Sequence, residues 1–128
     1  MAEKVGIIIV SHSFPIGQGI RALIDQVIDD VPLSLACGTE DNEIGTSIEK
    51  IQEAIEQAAG ESGAIIFYDL GSAKMNAEMA IELLESSNIR IAEDIPVVEG
   101  SYIAAVESNL GKSVEEIISS LEKMKINM

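Results

Sequence analysis

Histidine occurs once in this chain, at position 12, in the tripeptide Ser11-His12-Ser13. The tripeptide follows directly on the apolar run Gly6-Ile7-Ile8-Ile9-Val10. Imidazole titrates, attacks and ligates near neutral pH without special tuning. Two further polar stretches stand at comparable places, Gly45-Thr46-Ser47 and Asp69-Leu70-Gly71-Ser72. Asp69 follows a second apolar run, 64–68. A carboxylate that accepts one ring N–H fixes the imidazole tautomer, leaves the other nitrogen free to attack, and stabilises positive charge on the ring. Helices opening near Ser13, Thr46 and Ser72 would add unpaired backbone N–H groups, which bind a phosphoryl anion well. A nucleophilic histidine, an orienting aspartate and an anion cradle are the parts of a phosphohistidine site. The plainer roles are a loop histidine without chemistry, and Asp69 and Ser72 as helix caps.

Other chemistries fit less well. Gly17-Gln18-Gly19-Ile20-Arg21-Ala22 matches the dinucleotide pattern G-x-G-x-x-A. In that fingerprint the first glycine sits in the turn directly after the strand. Here both glycines fall inside a helix. Glu40 as a ribose-binding acid has no need of that role in an acidic loop. A Ser-His-Asp hydrolase using Ser11, Ser13 or Ser72 lacks the G-x-S-x-G elbow. One histidine and scattered carboxylates do not make a transition-metal site, and no cofactor is expected. Cys37 is the lone cysteine, so neither an internal disulfide nor a thiolate cluster forms.

The elements that must hold these residues alternate. Residues 5–10 read as a buried parallel strand. A helix then begins at Phe14-Pro15, with Ser13 as N-cap and Ile16, Ile20, Leu23, Ile24, Val27 and Ile28 as its apolar stripe. A short strand at 32–36 precedes the acidic loop 39–43. Gly45-Thr46-Ser47 opens a second helix with Ile48, Ile51, Ala54, Ile55 and Ala58 on one face. The third strand is 64–68. It turns through Gly71-Ser72 into a helix carrying Met75, Met79, Ile81, Leu83 and Leu84, with both methionines expected in the core. A weak fourth strand, 89–92, leads past Pro96. Glu99-Gly100-Ser101 opens a helix with Ile103, Ala104 and Val106. The last amphipathic helix, 113–125, starts with a capping box, Ser113 and Glu116. Strands alternating with helices predict a three-layer α/β sandwich around a central, mostly parallel sheet. Right-handed crossovers put the three polar loops on one side of it. If the first and third strands are neighbours, His12 and Asp69 face each other at the switch point.

The 128 residues suit a single domain, 1–128, with a core of its own. At 47% hydrophobic residues, disorder is excluded. A net charge of −14 argues against nucleic acid and against anionic membranes. It favours solubility and encounter with basic partners. No signal peptide and no stretch of membrane-spanning length is present, so a cytoplasmic location is expected.

The motifs Gly6-Ile7-Ile8-Ile9-Val10-Ser11-His12-Ser13, Glu43-Ile44-Gly45-Thr46-Ser47, Phe67-Tyr68-Asp69-Leu70-Gly71-Ser72-Ala73-Lys74-Met75-Asn76 and Pro96-Val97-Val98-Glu99-Gly100 occur in this order along nearly the whole chain. In them the chain resembles the phosphotransferase subunit, subunit M, of PEP-dependent dihydroxyacetone kinase. That family is similar in fold to the mannose-type EIIA domains of the sugar phosphotransferase system. The resemblance implies a phosphoryl carrier. The phosphocarrier HPr would donate to His12, and the phosphohistidine would pass the group to ADP on the nucleotide-binding subunit of the kinase. It implies Asp69 as the hydrogen-bond partner of His12, with Ser72 and the backbone around Gly71 at the phosphoryl group, Thr46 close to the pocket, and a homodimer; Ser13, from its helix start, is also expected to bind the phosphoryl group. Some relatives carry further domains related to HPr and Enzyme I. This chain corresponds to the first domain, and dependence on free HPr is the expectation. The alternatives are an EIIA component of a mannose-family sugar transporter, with an EIIB domain as acceptor, and a non-catalytic flavodoxin-like binding module. Only two arginines occur, Arg21 and Arg90, both outside the motif loops. Phosphoryl transfer needs positive charge or oriented donors around its oxygens, so the extra cation is expected from the partner.

Overall fold

Continuous β-branched runs bury both of their faces, which suits strands covered by helices on each side. The computed structural model describes residues 4–85 and 88–125. Its four strands are β1 (Gly6–Ser11), β2 (Leu33–Cys37), β3 (Ala64–Tyr68) and β4 (Ile89–Ile91). They form a sheet in the order β2-β1-β3-β4, and every pairing is parallel. The helices are α1 (Phe14–Asp25), α2 (Ile48–Ala58), α3 (Gly71–Leu84), α4 (Val97–Asn109) and α5 (Val114–Leu121), which runs on into a 3₁₀ turn, Glu122–Met124.

The period of two along each strand divides the core between two layers. Ile7, Ile9, Ile65 and Phe67 pack with Ile20 and Ile24 of α1, Ala104 and Ala105 of α4, and Ile117 and Leu121 of α5. Ile8, Val10, Ala64 and Ile66 pack with Ile51, Ala54 and Ile55 of α2 and with Ala73, Ala77 and Ala80 of α3. Each fully buried isoleucine contributes about 1.5–3 kcal/mol through area removed from water. Among the described residues, no helix is long and apolar enough to cross a membrane.

Approach of α2 to β1 depends on Gly6. A Cβ there would lie 2.2 Å from the Ala58 carbonyl oxygen and 2.8 Å from its carbon. Backbone cannot rotate away as a side chain can. Gly6→Ala is therefore expected to cost about 1–3 kcal/mol and to lower Tm by several degrees. A thermal melt with an unchanged Tm would show that α2 yields freely.

Three sequence expectations need correction. On α1, Ile16 and Leu23 are exposed, and only Ile20 and Ile24 of the expected stripe are buried; the helix ends at Asp25, so exposed Val27 and buried Ile28 lie beyond it. On α3, Met75 and Met79 lie outside the core at 69% and 47% exposure, and Leu83 with them at 59%. The fully buried positions on that helix are alanines, which let it approach the sheet closely, and the expected Ile81 and Leu84 pack part-buried beside them. Finally, α4 begins at Val97, before Glu99-Gly100-Ser101, because Pro96 serves as its N-cap residue. The Ser13 cap, the helical placement of Gly17 and Gly19, and the Ser113/Glu116 capping box all stand as read.

Candidate active site

Residues β1 and β3 share a register that pairs Val10 with Tyr68. One step further along, Ser11 comes level with Asp69, the first residue past β3. The chain leaves β1 into α1 on one face of the sheet and leaves β3 into α3 on the other. The diverging loops open a crevice at the carboxyl ends of the strands, the usual ligand position in such sheets. His12 is the first residue past β1, and its side chain is 20% exposed against 16% for Asp69.

Asp69 is the hub. Its Oδ1 accepts from His12 Nδ1 at 3.0 Å and from the Leu70 N–H at 2.7 Å. Its Oδ2 accepts from the Ser11 hydroxyl at 2.8 Å and from the His12 N–H at 3.0 Å. Burial opposes the charge on this carboxylate. The hydrogen bonds from His12 backbone and ring, from Ser11 and from Leu70 outweigh it and hold Asp69 below its ordinary pKa. An ionised Asp69 can only accept, so Nδ1 carries the ring proton and Nε2 presents its lone pair. The Ser72 hydroxyl lies 2.7 Å from Nε2 and is then its donor.

The three helix starts differ as anion sites. Three positions at the start of α1 offer no open donor. The Ser13 N–H goes to the Ser11 hydroxyl, Pro15 has none, and the Ile16 N–H goes to the Ser13 side chain. At α2, Ser47 is the N-cap and accepts from the Lys50 N–H. At α3 the N-cap residue is Leu70, which makes no side-chain cap bond. The first-turn N–H groups of Gly71 and Ser72 therefore stand beside Nε2 with no capping side chain over them. Asp69 and Ser72 do not act as N-caps.

Of the residues singled out by sequence, His12, Asp69 and Ser72 come into direct contact. Gly71 opens α3 beside them. Ser13 is engaged as the α1 cap. Thr46 accepts a hydrogen bond from the Asn76 amide, which ties the loop before α2 to α3. The same loop is held by the Gly45 N–H, 2.9 Å from the His12 carbonyl oxygen. Two contributors were given no role at the phosphoryl site by the sequence reading. Ser11 is fully buried and bridges Asp69 to the Ser13 N–H. Its signal was a hydroxyl closing an otherwise apolar strand. Asn76 stands one turn after Ser72, a spacing that puts both on one side of α3.

Neither arginine reaches the crevice. Arg21 donates to the Leu33 carbonyl at the opposite end of β2, and Arg90 pairs with Glu115. Lys50 is held by the Cys37 carbonyl and Asn42, and Lys74 by Glu93 at 2.6 Å. Among the described residues, the hydrogen-bonding shell of His12 contains no cation.

The chain is similar to known proteins over nearly its whole length. The family model EIIA-man, described as the PTS system fructose IIA component, matches residues 6–118. The phosphoryl donor subunit DhaM of PEP-dependent dihydroxyacetone kinase 1 from Listeria innocua is 37% identical over 126 residues, 98% of this chain and 99% of that protein. The phosphotransferase subunit DhaM of the PTS-dependent dihydroxyacetone kinase of Lactococcus lactis is 37% identical over 94% of this chain and 96% of its own length. A crystal structure of a protein of unknown function superposes with a TM-score of 0.83 at 29% identity, covering 98% of both chains.

Proposed function

Because this chain belongs to the EIIA-man family, and within it to the phosphoryl donor subunits of PEP-dependent dihydroxyacetone kinases, we propose that it is a histidine phosphocarrier loaded by HPr and discharged to ADP. The observation that carries this reading is the imidazole of His12 held between the Asp69 carboxylate on Nδ1 and the Ser72 hydroxyl on Nε2.

In the first step the Nε2 lone pair attacks the phosphorus of the donor. A nitrogen–phosphorus bond forms, and the bond from phosphorus to the donor breaks with its electron pair returning to the donor. Positive charge grows on the ring and is met by Asp69, which keeps the Nδ1 proton in place. The Ser72 hydroxyl turns from Nε2 to a phosphoryl oxygen, and the Gly71 and Ser72 N–H groups receive the others. In the second step a terminal oxygen of ADP on the nucleotide-binding subunit attacks phosphorus, the nitrogen–phosphorus bond breaks, and Nε2 regains its lone pair. The cation that both steps require comes from the partner, as an arginine or the metal of a bound nucleotide. The homodimer implied by the family resemblance belongs to the same proposal.

The direct test is incubation with PEP, Enzyme I and HPr, followed by intact mass and acid treatment. An acid-labile, base-stable gain of one phosphoryl group is expected, and its absence would end the reading. The alternative acceptor implied by the family resemblance is a transporter EIIB domain. Mixing the phosphorylated chain with each acceptor separates the two, and the similarity to phosphotransfer subunits of dihydroxyacetone kinases favours a kinase acceptor over a transporter.

The net charge of −14 steers basic partners toward the chain. Raising ionic strength from about 0.05 to about 0.5 M shortens the screening length severalfold, and the second-order transfer rate is expected to fall with it. Stopped-flow rates that ignore salt would remove the steering idea.

A further inference from the structure

Ser11 is the last residue of β1, is fully buried, and is the one hydroxyl among the described residues that touches Asp69. Its bonds have a fixed direction. The Ser13 N–H donates to the Ser11 oxygen at 3.1 Å, and an ionised carboxylate can only accept, so the Ser11 proton goes to Asp69 Oδ2 at 2.8 Å. The His12 N–H also reaches Oδ2, while Nδ1 and the Leu70 N–H reach Oδ1. A carboxylate has about four lone-pair sites, so none is left open. Two of the four donors are loop backbone, and one is the ring that has to be held. Ser11 donates from inside β1, which pairs with β2 on one side and β3 on the other. Groups locked in a strand position a site more precisely than groups on loops.

The neutral ring has two tautomers. Ser72 fits either, because a hydroxyl can donate to a bare Nε2 or accept from a protonated one. Among the described residues, nothing on the Nε2 side selects the tautomer that attacks. The choice falls to Asp69, and only while its Oδ1 stays aimed at Nδ1. We propose that Ser11 is a positioning residue for phosphoryl transfer: its buried hydroxyl locks the plane of the Asp69 carboxylate, and so keeps the proton on Nδ1 and the lone pair on Nε2. The proposal rests on the phosphocarrier reading above. Without the hydroxyl, Oδ2 keeps a single donor and the Ser13 N–H loses its acceptor. The carboxylate turns toward the donors that remain, and its hold on Nδ1 weakens. The form protonated on Nε2, with Ser72 as acceptor, then gains population. That form has no lone pair on Nε2 with which to attack.

The test uses Ser11→Ala and, because alanine leaves a hole in a packed site, Ser11→Cys, which refills it with a weak donor. Ser34→Ala is the control. Ser34 is a buried serine near the start of β2, and its hydroxyl donates to the Ala54 carbonyl at 2.8 Å. His12 is the only histidine, so nitrogen NMR of isotope-labelled histidine reports one ring without overlap. At about pH 8, where an ordinary imidazole is neutral, wild type is expected to show Nδ1 protonated and Nε2 bare. Both Ser11 variants are expected to shift toward the form protonated on Nε2. Phosphorylation by PEP, Enzyme I and HPr should slow by about ten- to hundredfold. The loss should fall on the maximum rate and leave the half-saturating HPr concentration alone, because a buried hydroxyl cannot meet the donor. Ser34→Ala should lose stability yet keep the wild-type ring spectrum and rate. A wild-type spectrum or a wild-type rate in the Ser11 variants would overturn the proposal, as would a loss confined to the half-saturating concentration. Equal slowing in Ser34→Ala would reduce Ser11 to a contributor to stability and overturn it too. If wild type takes no phosphate, the phosphocarrier reading fails, and the ring spectra still decide whether Ser11 sets the tautomer.

Discussion

Replacing His12 by alanine is expected to abolish phosphorylation completely while leaving the fold intact. Among the described residues of the crevice, Nε2 is the nitrogen placed to attack phosphorus, its lone pair met only by the Ser72 hydroxyl, which can turn away. The neighbouring hydroxyls are already engaged: Ser11 donates to Asp69, and Ser13 caps α1. Asp69 keeps its bonds from the His12 N–H, Ser11 and Leu70 in the variant, because they do not involve the ring. Circular dichroism should therefore match wild type. Intact mass after incubation with PEP, Enzyme I and HPr should show no added phosphoryl group, and dihydroxyacetone-dependent consumption of PEP should stop. Full phosphate uptake by His12→Ala would move the chemistry to another residue.

Asp69→Asn is expected to leave a folded carrier that works roughly 10² to 10⁴ times more slowly, the range seen when a catalytic imidazole loses its orienting carboxylate. An amide in this position can donate to Nδ1. The ring proton then moves to Nε2, and the attacking lone pair is lost. The amide also cannot balance the charge that develops on the phosphorylated ring. Stability should fall as well, since a neutral group replaces an anion that accepts four hydrogen bonds, each charge-assisted bond being worth about 1.5–3 kcal/mol. The pH dependence has a definite sign. Asp69 has a lowered folded pKa. Its contribution to stability is therefore fully present above the ordinary carboxylate value of about 3.9 and is lost as pH falls through the lowered value. Urea unfolding at descending pH should show wild type losing this increment and Asp69→Asn lacking it throughout. Equal acid sensitivity, or single-turnover rates near wild type, would demote Asp69 to a structural role.

Much of this arrangement was legible before any coordinates. A β-branched run ending in Ser11-His12-Ser13, and another ending in Asp69, announce themselves by composition, since few other elements tolerate such runs. Helix starts were equally readable, because Ser13, Ser47 and Ser113 act through bonds of three-residue range. Exposure was not. Ile16, Leu23, Met75, Met79 and Leu83 carry the helical period of core residues, and period alone does not say which apolar stripe meets the sheet. On α3 the sheet took Ala73, Ala77 and Ala80.

By itself, then, the order of residues determined the alternation of strands and helices, and offered a candidate nucleophile with a candidate carboxylate partner, because these follow from local propensity and side-chain chemistry. Tertiary structure alone decided that β1 and β3 are adjacent in a register bringing Asp69 to His12. It also decided that Ser72 at the start of α3 meets His12 Nε2 while Ser13 caps α1, and that methionines face water. Those outcomes depend on which surfaces pack together across 57 residues of separation, and no local pattern carries that information.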